Sequence, residues 1–366
     1  MSSAALQIEL HKSEQESAVR SIKVVVWDLD NTVWDGVLLE DPAVAALPQV
    51  VEVIQELDRR GILQSISSKN DPDCALAKLA ELGIADYFLY PQIGWGAKSA
   101  AVQKIASAIN VGIDTIAFID DQPFEREEVA HSLPEVLCLD AARVPDLLQR
   151  AEFNPRFVTE DSKNRRLMYL GDIQRNTLEQ QFQGPTAQFL ATLGLELTLA
   201  RATEADLQRA EELTRRTHQL NTTGYTYDYD ELKAFMRSPS HDLVIASLED
   251  KFGTYGKIGL CLTERAPDHW TIKLLLMSCR VMSRGVGTVM LSYIMGLAKQ
   301  AGVVLRAEFI KTPRNRMMYV TYRLANFKEL RESGGVALLE NDCSGTLEFP
   351  AHVAVRIVAE PMGPAQ

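Results

Sequence analysis

Ile22-Lys23-Val24-Val25-Val26-Trp27-Asp28-Leu29-Asp30-Asn31-Thr32 is an apolar, β-branched run that ends abruptly in two carboxylates. Ile22 to Trp27 has the composition of a strand buried on both faces of a parallel sheet. In extended backbone, residues i and i+2 point the same way, so Asp28 and Asp30 share one face at the strand's carboxyl end. Two carboxylates so close raise each other's pKa unless a divalent cation neutralises them. Magnesium suits an all-oxygen site that also holds a phosphate.

Moving outward, strand-like and helix-like segments alternate. Val50 to Arg60 has helical spacing closed by Gly61, Ile62 to Ser67 reads as a strand, and Asp73 to Leu82 as a helix ended by Gly83. Ser99 to Ile109 predicts another helix, Thr115 to Ile119 a strand, and Glu135 to Leu139 a short edge strand. This rhythm implies right-handed crossovers and an N-terminal doubly wound parallel sheet, in which ligands bind beyond the carboxyl ends of the strands. Asp120-Asp121 ends the strand Ile116 to Ile119 and is expected to converge on the same edge as Asp28. Lys98 adds a positive charge to offset the nucleophile and hold a phosphate, and Ser68 offers a hydroxyl and a loop N–H.

Taken in order, Asp28-x-Asp30-x-Thr32, Ser68, Lys98 and Asp120-Asp121 resemble the four motifs of haloacid-dehalogenase-superfamily phosphotransferases. The resemblance implies that Asp28 attacks phosphorus to form an aspartyl phosphate and that Asp30 serves as general acid, then base. It also implies that Asp28, the Asp30 backbone carbonyl and Asp121 hold Mg²⁺, with Asp120 beside them, while Ser68, Lys98 and Thr32 bind phosphate. Longer matches point to one branch. Trp27 to Gly36, the Ser68-Lys69-Asn70-Asp71 turn, Tyr90 to Trp95 and Asp120 to Glu125 are similar to FkbH-like proteins of polyketide assembly, as are His218 to Thr223 and Leu276 to Val281. Members take a glyceryl unit from 1,3-bisphosphoglycerate, remove phosphate and load the unit as a thioester on a phosphopantetheinylated acyl carrier protein. Such a reading makes the partners a carrier protein and a phosphorylated three-carbon substrate. Between Asp35 and Pro48 there is room for only a short flap, too little for a cap that seals a small-molecule site.

Gly184-Pro185 punctuates the end of a charged, helix-favouring stretch from Phe157 to Phe182, after which a second α/β pattern begins. Leu195 to Ala200, Asp242 to Leu248, Ile258 to Thr263, Thr271 to Ser278 and Val303 to Phe309 read as strands. Glu204 to Thr217, Gly285 to Ala298 and Asn315 to Leu324 read as helices. The expected organisation is a polar segment over 1–20, a phosphatase domain over 21–155, a helical linker over 156–184 and a second domain over 185–366. That second domain resembles acyltransferases of the GCN5-related type. Arg284-Gly285-Val286-Gly287-Thr288 after a long strand would set backbone N–H groups and a helix start around a phosphate. Arg280, Arg284, Gly285 and Gly287 are therefore the candidate phosphopantetheine-binding residues. From Trp270 to Arg331, eleven Lys or Arg face two Glu, a segment suited to an acidic carrier. If acyl transfer passes through an enzyme thioester, Cys279 beside Arg280 is the preferred nucleophile and His218 its nearest candidate base.

With 366 residues, a 46% hydrophobic share and 24% charged residues, the chain has the composition of a two-domain globular protein. The formal charge of −11, from 38 Lys plus Arg against 49 Asp plus Glu, disfavours nucleic acid and anionic membrane as partners. No stretch is long and apolar enough for a membrane span, the first twenty residues lack a signal-peptide core, and five widely spaced cysteines suit a reducing compartment; a cytoplasmic protein is expected. The competing expectation is a small-molecule phosphatase with a non-catalytic C-terminal lid.

Overall fold

The computed structural model describes residues 20–41, 43–217, 219–345 and 348–358. It forms two compact units, one running through Leu170 and the other starting at Gly171.

In the first unit, β1 (Val24–Trp27) is fully buried, as its unbroken apolar sequence requires. A hairpin of β2 (Trp34–Asp35) and β3 (Ala45–Ala46) is the whole of the flap that follows. The strands β4 (Leu63–Ser68), β5 (Gln92–Ile93), β6 (Ile116–Asp120) and β7 (Leu137–Asp140) complete a parallel sheet in the order β5-β4-β1-β6-β7. The apolar segment with the carboxylates thus lies at the centre, and the expected edge strand lies at the edge. Helices Pro48–Arg59, Pro72–Glu81, Lys98–Ile109 and Pro123–Ser132 make the crossovers. Proline opens three of them, the position where a missing N–H costs nothing. Gly61 and Gly83 follow two of them at φ +72° and +70°, a left-handed turn that favours glycine. Val25, Trp27, Ile54, Leu57, Ile66 and Ile119 form the centre of the core.

The second unit is built on a mixed sheet in the order β13-β14-β12-β11-β10-β9-β8-β15. Its strands are β8 (Leu195–Arg201), β9 (His241–Asp250), β10 (Gly253–Arg265), β11 (His269–Met277), β12 (Val304–Ile310), β13 (Lys328–Ser333), β14 (Val336–Asn341) and β15 (Val353–Ile357). Helix Val286–Gln300, apolar on most of its surface, is buried against it. The expected helix over Glu204 to Thr217 divides into a 3-10 turn, Glu204–Asp206, and a helix, Leu207–Arg216, because Asp206 turns its carboxylate back onto the Thr203 N–H and hydroxyl.

Strands β11 and β12 pair in parallel only from His269↔Val304 to Ile272↔Ala307. Beyond that they part, and the gap is filled by the chain itself. Met277 N–H donates to the Leu220 carbonyl, Thr222 N–H to Leu275, and Ile310 N–H to Thr222. The Asn315 side-chain amide donates to the carbonyls of Asn221 and Ile310. Backbone groups that the splay would orphan, among them Met277 N–H, the Leu275 carbonyl and Ile310 N–H, thereby find partners.

Within the charged stretch after Phe157, helices Glu160–Lys163 and Arg165–Gln181 form, and the division between the two units falls inside the longer one. Arg166 pairs with Asp58 of the first unit. Arg175 is buried against Asp250 of the second, with two hydrogen bonds of 2.8 and 2.7 Å, and its guanidinium lies 3.9 Å from the Tyr255 ring centre. Among the described residues, no helix is long and apolar enough to cross a membrane.

Candidate functional site

Register alone brings the acids together. Trp27 lies beside Ile66 on one side and Ile119 on the other, so the residues following these three emerge level at the carboxyl edge. Asp28 N–H donates to the Ile119 carbonyl at 2.9 Å, which fixes Asp28 next to Asp120. The Asp28, Asp120 and Asp121 carboxylates each offer an oxygen within 4.8 Å of the others. Lys98, the first residue of its helix and only 4% exposed, reaches Asp28 Oδ1 at 2.6 Å and Asp120 Oδ2 at 2.5 Å.

Electrostatically the cluster is short of positive charge. Burial pushes the Asp28 carboxyl up to about 6, and the Asp120 charge adds to this, while Lys98 pulls against it. Asp121 is raised by burial and then by Asp120. Burial alone would lower Lys98, yet the two carboxylates it touches hold it above its ordinary value. The Asp121 Oδ1 atom is buried with no hydrogen-bond partner. Three oxygen donors, one of them orphaned, with a single lysine among them are a fit for one hard divalent cation, and magnesium matches the donor chemistry.

Asp30 is separate from this trio. Its Oδ1 accepts from Trp34 Nε1 at 2.7 Å and from Leu38 N–H at 3.1 Å, and its Oδ2 accepts from Asn70 Nδ2 at 3.0 Å. The side chain is held by the flap and by the turn after β4, the arrangement a positioned proton donor needs. Thr32 is buried, its Oγ1 without a partner, and Ser68 ends β4, buried as well. Trp34 and Asn70 gained no role from the sequence, because their contribution is a hydrogen bond across four and forty residues. Arg126 was missed for the same reason: it donates to the Asp120 carbonyl at 2.7 Å and pairs with Asp140.

The candidates in the second unit fall differently. Cys279, half-buried, begins a 3-10 turn over Cys279–Val281 directly after β11. His218 lies outside the described residues. Arg280 donates to the Tyr255 carbonyl at 2.7 Å and stands 3.8 Å from Asp172, and the buried Arg284 stands 3.4 Å from Glu179. Gly285 starts helix Val286–Gln300 at φ +81°, whereas Gly287 is a packing glycine: a Cβ there would lie 2.5 Å from the Met277 methyl. Lys273, Arg306 and Lys311 pair with Glu308, Glu340 and Glu332, so much of the basic segment is offset by acids close in space. Cys343, in a turn that reads as polar, is buried in the core with Cys261.

The chain matches no known family's sequence profile and no curated protein. Among solved structures it is similar to the N-terminal part of the protein BF1531 from Bacteroides fragilis, which contains a phosphatase domain complexed with Mg. That likeness has 25% identity and a TM-score of 0.31, and covers 45% of this chain and 42% of that one. The match thus spans less than half of the BF1531 chain's length. The ribosomal-protein-S18-alanine N-acetyltransferase from Escherichia coli is similar at 14% identity and a TM-score of 0.32, over 39% of this chain and 92% of its own. An acetyltransferase of the GNAT family from Streptococcus pneumoniae is similar at 16% identity and a TM-score of 0.32, over 40% of this chain and 98% of its own.

Proposed function

We propose that this protein is a magnesium-dependent phosphatase with an aspartate nucleophile, coupled to acyl transfer onto a carrier-protein thiol. The observation that carries the first half is the bridge of Lys98 between Asp28 and Asp120, with Asp121 within 4.8 Å. Asp28, Asp120 and Asp121 would hold the cation, which when bound neutralises carboxylate and phosphate charge in one place.

The residues of the chain supply the rest. An Asp28 oxygen attacks phosphorus as the bond to the leaving oxygen breaks, and Asp30, held by three donors, gives that oxygen a proton. Lys98 stays bound to the Asp28 and Asp120 carboxylates and balances charge on the transferring group. The unpartnered Thr32 hydroxyl and the Ser68 hydroxyl stand ready for phosphate oxygens. Asp30, now a carboxylate, takes a proton from water, which attacks the aspartyl phosphate and releases inorganic phosphate. The short flap leaves this edge without a built-in cap, which favours a substrate presented by a larger partner.

The finer reading is that the substrate is a three-carbon acyl phosphate of the 1,3-bisphosphoglycerate type: the Cys279 thiolate, the candidate relay, attacks the C1 carbonyl and displaces that phosphate, the carrier-protein thiol then takes the glyceryl unit and frees Cys279, and the Asp28 site hydrolyses the C3 phosphate ester. Its support is the set of sequence resemblances and the exposed basic residues that remain in the second unit. Intact mass of a phosphopantetheinylated carrier after incubation with protein, magnesium and the acyl phosphate tests it: a glyceryl adduct is expected, and free phosphate without any adduct removes the transferase half. A second reading, a phosphatase whose C-terminal unit is non-catalytic, is favoured by the self-filled gap between β11 and β12 and by the engagement of Arg280 and Arg284 with the chain's own acids.

A further inference from the structure

Helix Arg316–Leu324 is apolar on two opposite faces, which a surface helix with one core does not require. Met318 and Tyr322 point into the core and are 1% and 0% exposed. Met317, Val320 and Leu324, spaced i, i+3, i+7 on the other side, are 54%, 37% and 76% exposed. Tyr319, on a different side of the helix, bonds Glu329 of the edge strand β13 at 3.1 Å, so the two elements meet away from the stripe. Contiguous exposed apolar side chains rimmed by polar ones mark interaction sites on soluble proteins.

Exposed cations without an ion-pair partner are concentrated in this part of the chain. Arg314, Arg316, Arg323, Lys328 and Arg331 are all exposed, and among the described residues none of them forms an ion pair, in contrast to Lys273, Arg280, Arg284, Arg306 and Lys311 of the same basic segment. The two acids on this strand, Glu329 and Glu332, are already taken by Lys311. At 100° per residue, Arg316 and Arg323 fall on one flank of the Met317–Val320–Leu324 stripe. In a chain with a formal charge of −11, two unpaired cations flanking one apolar stripe, with three more on the segments before and after the helix, are a local reversal of sign.

We propose that the outer face of helix Arg316–Leu324 docks an acidic amphipathic helix of a partner protein. The partner's apolar ridge packs along Met317, Val320 and Leu324, and its carboxylates meet Arg316 and Arg323. The stripe from Met317 to Leu324, about 10 Å long at 1.5 Å per residue, suits one crossing helix better than a lipid surface, which takes longer amphipathic segments. This rests on the carrier-protein reading above, in which that partner is the carrier.

The test uses the full-length protein and a phosphopantetheinylated acyl carrier protein, with binding measured by calorimetry at low and high salt. Arg316→Glu/Arg323→Glu and Met317→Glu/Leu324→Glu are each expected to weaken binding about tenfold or more, and wild-type binding is expected to weaken with salt. Magnesium-dependent hydrolysis of an aryl phosphate and the melting temperature, expected to be unchanged, show that the variants fold. Carrier binding that both variants leave intact overturns this face and keeps the carrier reading. No binding by wild type, with no acyl adduct on the carrier, overturns both. Loss of self-association, or of binding to phosphatidylserine vesicles, with carrier binding intact assigns the face to a second copy or to lipid and overturns the proposal.

Discussion

Two buried charge clusters, one in each unit, are built in opposite ways. In the second, Arg175 and Asp250 are both sealed from solvent, yet the guanidinium has two bonds to that carboxylate, one to Asp172 and one to the Gly253 carbonyl, and a tyrosine face against it. The Arg175 charge has been answered by the chain. At the carboxyl edge of the first unit, three carboxylates share one lysine, Asp121 keeps an orphaned oxygen, and Asp28 is pushed up to about 6. Burial is common to both places. What separates a structural charge cluster from a reactive one is the unanswered remainder, which has to be met by something that comes from outside.

Substitutions at the two clusters should therefore fail in different currencies. Asp28→Asn removes the nucleophile and is expected to cut magnesium-dependent aryl phosphatase activity by about 10⁴-fold or more. Its melting temperature should hold, since the substitution relieves a buried, crowded charge. An active Asp28→Asn protein would refute the catalytic assignment. Asp250→Ala leaves Arg175 buried without its main partner, and a loss of about 3–5 kcal/mol is expected in urea unfolding of the second unit. A loss under 1 kcal/mol would mean that water reaches Arg175 and that the contrast between the clusters is not one of compensation.

The site was more legible in the sequence than the second unit was, for a physical reason. A parallel strand buried on both faces must be apolar throughout, so Val24 to Trp27 and Ile116 to Ile119 announce themselves, and the residues just past them have one place to go. Asp28 and Asp120 could be brought together on that ground alone. In the second unit the signals were confounded by partners distant in sequence. The basic run from Trp270 to Arg331 reads as an open cationic segment, yet Arg306 is met by Glu340 and Arg284 by Glu179. The edge strand Lys328–Ser333 is exposed at every position and shows no alternation to read, and helix Thr186–Leu193 hides behind the Gly184-Pro185 break. The filling of the β11–β12 gap by Leu220 to Thr222 depends on hydrogen bonds across more than fifty residues, which no local pattern encodes.

The unanswered charge also has a signature in pH. The Asp28 carboxyl is raised from its ordinary 3.8 to about 6, mainly by burial. The folded protein therefore holds a proton there that the unfolded chain has released, so this residue's contribution to stability is fully present below about pH 4 and is lost as pH rises through 6. In magnesium-free buffer the stability of wild type relative to Asp28→Asn should fall by about 1–3 kcal/mol across that window. Magnesium should return it above pH 6, where the carboxylate is charged. A flat difference would show that Lys98 alone already compensates Asp28, and the first cluster would then resemble the second.

The finest test concerns Asp30, which stands between the two cases: a carboxyl site residue whose hydrogen-bond donors all come from the chain. Trp34→Phe removes one of the two donors on Asp30 Oδ1 and leaves Leu38 N–H in place, at the cost of a small cavity beside the buried ring. If the bond only stabilises the flap, unfolding free energy falls by about 1–2 kcal/mol and kcat is untouched. If it aims the carboxylate at the leaving oxygen, kcat falls about tenfold at constant KM, because proton delivery is sensitive to orientation. The second outcome is expected, with a larger loss on alkyl than on aryl phosphates, since a poor leaving group depends more on the proton that Asp30 delivers.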